Sequence, residues 1–123
     1  MKVLIADDSE LVRERLAVLI SEVEGTELIG EVGNAHEALE AIQRLRPDVV
    51  ILDIRMPGGN GFGVLEAIKK SSVPPMVVML TAFPYPQYRK RCLEAGAQYF
   101  FDKTSEFDRV AQVLEELQGK GAQ

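Results

Sequence analysis

Four stretches of the chain are apolar almost without interruption: Val3-Leu4-Ile5, Val49-Val50-Ile51-Leu52, Met76-Val77-Val78-Met79-Leu80 and Tyr99-Phe100-Phe101. A strand with one wet face alternates polar and apolar, so unbroken runs predict strands covered on both faces. The pattern places strands over Lys2–Ala6, Val49–Leu52, Met76–Leu80 and Tyr99–Phe101, with a weaker one over Glu27–Val32 around Leu28 and Ile29. Between them the apolar spacing changes to three and four. Val12, Leu16, Leu19, Ile20 and Val23 form one stripe, with Arg13, Glu14 and Arg15 on the other side, and Gly25 breaks it. Asn34 followed by Glu37 resembles a capping box. The helix it starts carries Ala38, Leu39, Ile42 and Leu45 inward and stops at Pro47. A third helix runs from about Gly61 with Phe62, Leu65 and Ile68 inward, and a short fourth is placed at about Gln87–Ala95, after Pro84 and Pro86. Ser105 is expected to cap a last helix with Phe107, Val110, Ala111, Leu114 and Leu117 as its stripe and Gly119 as its end.

Five strands alternating with five helices predict an α/β fold: a doubly wound, five-stranded parallel sheet with helices on both faces. The flavodoxin-like strand order 2-1-3-4-5 is the leading topology for that pattern. The whole chain, 1–123, is expected to form one domain, a size that buries roughly two-thirds of the unfolded surface. Its 46% hydrophobic and 27% charged residues are those of an ordinary globular protein. A net charge of -5 offers no basic footprint for nucleic acid or an anionic membrane. No apolar run is long enough to span a membrane, and Asp7 and Asp8 interrupt any signal-peptide plan. A single cysteine, Cys92, allows no internal disulfide and fits a reducing compartment, so a cytoplasmic location is expected.

The chemistry follows from where the strands end. Asp53 closes the run Val49–Leu52, and Pro57 with three glycines then breaks the backbone. Open α/β sheets bind ligands along the carboxyl edge of their strands. That edge gathers Asp7 and Asp8 after the first strand, Asp53 after the third, Thr81 after the fourth and Lys103 after the fifth. Singly, each has a plain structural explanation: a turn-forming acid, a strand-end threonine, a solvated lysine. Together they place three carboxylates in one cleft, where like charges repel by several kcal/mol unless one is protonated or a cation binds. Hard oxygen donors, few in number, suit Mg²⁺, which keeps waters and leaves room for a phosphate oxygen. A metal, an ammonium and a hydroxyl around one carboxylate can hold the equatorial oxygens of a phosphoryl group in transfer, with Asp53 as nucleophile.

These residues resemble, over essentially the whole chain, a bacterial two-component response-regulator receiver domain of the single-domain, chemotaxis-regulator-like kind. The resemblance rests on Asp7-Asp8, on Leu52-Asp53-Ile54-Arg55-Met56-Pro57-Gly58-Gly59-Asn60-Gly61, on Thr81-Ala82, and on Ala95-Gly96-Ala97 leading to Lys103. It implies that Asp53 is the phosphoacceptor. Asp8, Asp53 and the backbone carbonyl of Arg55 would hold Mg²⁺, with Asp7 supporting the site. Thr81, Lys103 and the backbone at Ala82 would contact the phosphoryl group, the small Ala82 side chain keeping access open. Phe100 would be the switch aromatic that turns inward as Thr81 moves. The phosphodonor would be a histidine kinase or histidine phosphotransfer protein. Output would pass through the face of the fourth helix, fifth strand and fifth helix to an unknown partner. The chain itself would catalyse only its own phosphorylation and dephosphorylation.

Two departures from that family stand out. Thr104 follows Lys103 where proline with a cis bond is common, which leaves the geometry of Lys103-Thr104 open. Phe100 carries no hydroxyl, so its inward position would rest on burial alone. Arg55 and Phe83 lie two residues past Asp53 and Thr81 and should flank the cleft mouth, a cation and a ring where the family often has polar side chains; slow loss of the phosphoryl group is expected. His36 is expected at the surface, Cys92 partly buried or exposed without a redox role, Phe62 and Phe107 in the core. Tyr85 and Tyr88 serve equally as a partner surface or as loop packing.

Three rivals remain. A phosphatase with an aspartate nucleophile wants a second acid two residues on, where this chain has Arg55. A flavodoxin-like nucleotide binder wants a Ser-, Thr- or Gly-rich loop where Asp7-Asp8 stands. The third is the receiver half of a longer DNA-binding transcriptional regulator; no recognition helix or basic region precedes Gln123.

Overall fold

The computed structural model describes the backbone of residues 1–122 and the side chains of residues 1–119. The elements in order are β1 (Lys2–Ala6), α1 (Glu10–Ser21), β2 (Glu27–Val32), α2 (Ala35–Leu45), β3 (Val49–Leu52), β4 (Arg55–Met56), β5 (Gly59–Asn60), α3 (Gly61–Lys69), β6 (Met76–Thr81), α4 (Pro86–Glu94), β7 (Tyr99–Asp102) and α5 (Arg109–Ala122). The main sheet is five-stranded and parallel in the order β2-β1-β3-β6-β7. With β4 and β5 set aside as a separate hairpin, that is the flavodoxin-like order 2-1-3-4-5.

Alternation within each buried strand separates the two layers. Val3, Ile5, Val49, Ile51, Val78 and Leu80 point to one face, where Leu16 and Ile20 of α1 and Val110, Val113 and Leu114 of α5 cover them. Leu4, Ala6, Val50, Leu52, Val77 and Met79 point to the other, under Ala38 and Ala41 of α2, Val64, Leu65 and Ile68 of α3, and Cys92 of α4. Fully burying one such Val, Leu or Ile side chain is worth about 1.5–3 kcal/mol, so two continuous layers hold the sheet edges in register. The strand ends thereby become fixed points.

Side-chain caps start the helices that flank the carboxyl edge. Ser9 Oγ accepts from the Val12 amide at 3.2 Å, Asn34 Oδ1 from the Glu37 amide at 2.8 Å, and Asn60 Oδ1 from the Gly63 amide at 3.1 Å. The Asn34 bond is the forward half of the expected capping box. Arg46, left-handed at φ 50°, ends α2 just before Pro47.

Several expectations change. The loop after Asp53 contains a short hairpin, with Arg55 paired to Asn60 and Met56 to Gly59 around Pro57-Gly58. Gly58, at φ 76°, takes the turn position that a side chain disfavours. Ser105 does not cap α5: the helix begins at Arg109, and the Ser105 hydroxyl donates to Asp102 Oδ2 at 3.2 Å. Phe107 therefore packs from the turn before α5, not from the helix. Gly119 does not end the helix, which continues to Ala122. Helix α4 begins one residue early because Pro86 occupies its first turn, where a missing N–H costs nothing. Cys92 is fully buried.

Candidate functional site

Register brings the polar residues together. Ala6 of β1 lies beside Leu52 of β3, so the next residue of each strand, Asp7 and Asp53, emerges at the same level. The Asp53 amide donates to the Ala6 carbonyl at 3.0 Å and extends the ladder by one bond. Across the sheet Thr81 pairs with Asp102, and the Lys103 amide donates to the Thr81 carbonyl at 2.8 Å. The strand carrying the lysine is thus locked to the strand carrying the threonine. Gly61 allows α3 to start close behind: its amide donates to the Ile54 carbonyl at 2.6 Å, and a Cβ there would run into the Asp53 carbonyl oxygen.

Lys103 Nζ bridges the two buried acids, 2.7 Å from Asp7 Oδ2 and 3.0 Å from Asp53 Oδ2. The other oxygen of each acid is also held: Asp7 Oδ1 accepts from the Ser9 amide at 2.9 Å, and Asp53 Oδ1 from the Ile54 amide at 2.8 Å. Asp7 is 2% exposed and Asp53 5%, whereas Asp8 faces solvent. Burial raises the Asp53 pKa above the ordinary carboxylate range, and the Asp7 charge adds to that; Lys103 and the Ile54 amide work against it. Burial alone would lower the pKa of Lys103, but its bonds to Asp7 and Asp53 outweigh this and hold it above the ordinary lysine range. The ammonium therefore stays charged, and it is anchored between two acids.

The residues fit a hard divalent cation. Asp7, Asp8 and Asp53 each offer a carboxylate oxygen, all within 4.8 Å of one another. One lysine neutralises only one of these three charges. Arg55, also expected at the metal, opens β4, and its side chain is exposed.

Thr81 is fully buried, with its hydroxyl accepting from the Phe83 amide at 3.0 Å. Ala82 beside it is exposed. Phe100 is 3% exposed and packs in the layer with Met79 and Cys92, so its ring is already inside, where the expectation had it turning inward. No peptide bond among the described residues is cis, so Lys103-Thr104 is trans. Burial pushes the Cys92 thiol up to about 11, which leaves it without thiolate character. His36 is at the surface, and Phe62 and Phe107 are in the core. Tyr85 is exposed at 45% while Tyr88 packs on Phe62, so the two tyrosines divide between the readings left open for them.

Two features escaped the sequence pattern. Arg13 was assigned to the outer face of α1, yet its Nη1 donates to the Asp7 carbonyl at 2.7 Å and its Nε stands 3.6 Å from Glu31. It pins the loop that carries both acids, and helical periodicity has no way to show a side chain folding back. The Arg55 guanidinium lies 3.9 Å from the centre of the Phe83 ring, a cation–π stack joining the two loops at the cleft mouth. Both residues were singled out; their contact was not. A separate open groove of about 730 Å³, lined by Ile42, Pro47, Ile68 and Pro75 among others, sits at the opposite, amino end of the sheet. It contains none of Asp7, Asp8 and Asp53.

Residues 3–115 match the family described as response regulator receiver domain. The sensory transduction protein LytT of Bacillus cereus is 37% identical over 114 residues, 93% of this chain and 46% of that protein. The chain spans about half the length of the curated relatives it matches. The response regulator domain of Thermotoga maritima CheB superposes with a TM-score of 0.85 at 30% identity, over 97% of this chain and 94% of that one. A chain of the CheX-CheY-BeF3-Mg+2 complex from Borrelia burgdorferi does so with 0.80 at 30% identity, over 93% and 89%.

Proposed function

The chain belongs to the response regulator receiver domain family, and from that premise we propose that it is a phosphoaspartate switch of a two-component phosphorelay. The observation that carries the reading is the Lys103 ammonium held between Asp7 and Asp53, with Asp8 within reach of both acids. Asp53 is the nucleophile: burial raises its basicity, and the Lys103 ammonium 3.0 Å away favours its charged form. One of its oxygens forms the new O–P bond. The N–P bond of a phosphohistidine on a histidine kinase or phosphotransfer protein breaks, and its electron pair returns to the imidazole nitrogen, which takes a proton. Bound Mg²⁺ would neutralise charge on the transferring oxygens; Asp8, Asp53 and the Arg55 carbonyl would hold it, supported by Asp7. Lys103 and the Thr81 hydroxyl bind the phosphoryl oxygens beside the open position at Ala82. The product acyl phosphate alters the face of α4, β7 and α5, including the surroundings of Phe100, and so controls a partner. Among the described residues no helix is long and apolar enough to cross a membrane, and cytoplasmic action accords with that.

The test uses Mg²⁺ and a small acyl or amido phosphodonor. Intact mass should rise by one phosphoryl group, Asp53→Asn should not label there, and equal labelling in excess EDTA would overturn the mechanism. A second reading is the receiver half of a longer DNA-binding transcriptional regulator, supported by the chain's spanning 46% of LytT; the full length of the gene distinguishes the two.

A further inference from the structure

Lys103 lies just past β7, and residues 103–108 run from there to α5 in no helix or strand. A lysine side chain is flexible along its whole stem, so the place of its Nζ depends on how firmly its backbone is held. On one side the Lys103 amide donates to the Thr81 carbonyl at 2.8 Å. On the other, a ring of hydrogen bonds closes around it. The Asp102 amide, one residue earlier, faces the open side of an outer strand, and Glu106 Oε1 accepts from it at 3.1 Å. The Glu106 amide returns the bond, donating to the Asp102 carbonyl at 2.8 Å. The second carboxylate oxygen, Oε2, accepts from Arg109 Nη1 at 2.9 Å, and the Arg109 amide donates to the Glu106 carbonyl at 2.9 Å. Glu106 thus ties the residue before Lys103 to the first residue of α5. Thr104, where proline is common in receiver domains, keeps an N–H and donates it to Asp102 Oδ1 at 2.8 Å, a bond proline could not make.

We propose that Glu106 is a positioning residue for Lys103: its carboxylate closes the turn that holds the lysine backbone, and so sets where the ammonium stands between Asp7 and Asp53. The use of that ammonium on a phosphoryl group rests on the phosphoacceptor reading; its placement by Glu106 does not. Loss of the carboxylate leaves the Asp102 amide without its acceptor and Arg109 without its ionic partner together. The two acids cannot follow a lysine that moves, because the Ser9 and Ile54 amides hold their other oxygens. A displaced Nζ therefore loses one of its contacts at 2.7 and 3.0 Å. The groups assigned to Mg²⁺ belong to the loops after β1 and β3, away from this turn. The effect accordingly falls on what the lysine binds and spares the metal.

The experiment follows the Lys103 ammonium by its proton–nitrogen NMR signal, and measures binding of Mg²⁺ alone and of beryllium fluoride, a phosphoryl mimic, with Mg²⁺. The proteins are the unmodified chain, Glu106→Ala, Glu106→Gln and Ser105→Ala. Without metal, Glu106→Ala should shift the Lys103 signal and speed its exchange with water. Glu106→Gln, which keeps an acceptor for the Asp102 amide, should restore most of the signal. Ser105→Ala, which loses only a hydroxyl contact to the Asp102 side chain, should leave it in place. With Mg²⁺, Glu106→Ala should weaken beryllium fluoride binding about tenfold, the scale of one charge-assisted hydrogen bond, with no loss of Mg²⁺ affinity. An unchanged Lys103 signal or an unchanged beryllium fluoride affinity in Glu106→Ala would overturn the proposal, even where Tm falls, since Glu106 would then serve only α5. A matching loss of Mg²⁺ affinity, or a Gln variant no better than Ala, would overturn it too. No beryllium fluoride binding by the unmodified protein would instead overturn the phosphoacceptor reading, while the metal-free Lys103 signal still decides the placement.

Discussion

Removing either half of the Arg55–Phe83 stack should shorten the lifetime of the phosphorylated protein. Hydrolysis needs a water in line with the P–O bond of the acyl phosphate, and the stack joins the loops on both sides of the mouth through which that water enters. Arg55 reaches it from β4, two residues past Asp53, and Phe83 from the segment before α4, two residues past Thr81. A ring cannot align a water by hydrogen bonding, and the guanidinium can pair with a phosphoryl oxygen. At 3.9 Å and an exposed position, a cation–π contact is worth roughly 0.5–1 kcal/mol. If opening the mouth requires breaking it, its loss lowers the barrier by that amount, which is about a two- to fivefold faster decay. Arg55→Asn and Phe83→Glu should each fall in or above that range, Glu adding a group that can align water. Because the two residues act through one contact, the double variant should decay more slowly than the product of the two single effects implies. The assay is loss of label from purified phosphorylated protein, or of the added phosphoryl mass, in Mg²⁺. Decay no faster than the unmodified protein in all three variants would refute the reasoning. Strictly multiplicative effects would show that the residues act independently of the stack.

Two further outcomes follow from the buried charges. The Asp53 pKa is raised in the folded protein, so its ionisation opposes folding; that cost is absent below the unfolded carboxylate pKa and sets in as pH rises through the folded value. Asp53→Asn should therefore raise Tm at pH 7, with the gain closing as pH falls through the acid range; an equal or lower Tm at pH 7 would contradict the electrostatic account. Mg²⁺ should also raise Tm, by the equivalent of about 2.7 kcal/mol at a hundredfold excess over Kd. Asp8→Asn should abolish that rise while leaving the stability of the metal-free protein within about 0.5 kcal/mol, because Asp8 is exposed; a rise that persists would remove Asp8 from the metal site.

The sequence by itself determined the layers of this protein and the edge on which its chemistry sits. Unbroken apolar runs such as Val49–Leu52 have one physical solution, a strand covered on both faces. Once strands and helices alternate, a parallel sheet puts every strand's carboxyl end on one edge. Asp7, Asp8, Asp53, Thr81 and Lys103 could be placed there without coordinates, because each stands at the end of its own strand's apolar run, a relation between neighbours in the chain. Tertiary structure alone decided how those side chains are engaged. That Lys103 is shared by Asp7 and Asp53, that Arg13 folds back to the Asp7 carbonyl, and that Arg55 stacks on Phe83 depend on pairs brought together across different elements. Long polar side chains have many rotamers of nearly equal energy, and only the surrounding packing selects among them. Helix boundaries erred for a related reason: Ser105 has the chemistry of a cap, but Asp102 captures its hydroxyl first and the chain makes a further turn before Arg109. Local preference is weak beside a competing partner a few residues away, and the fold supplies that partner.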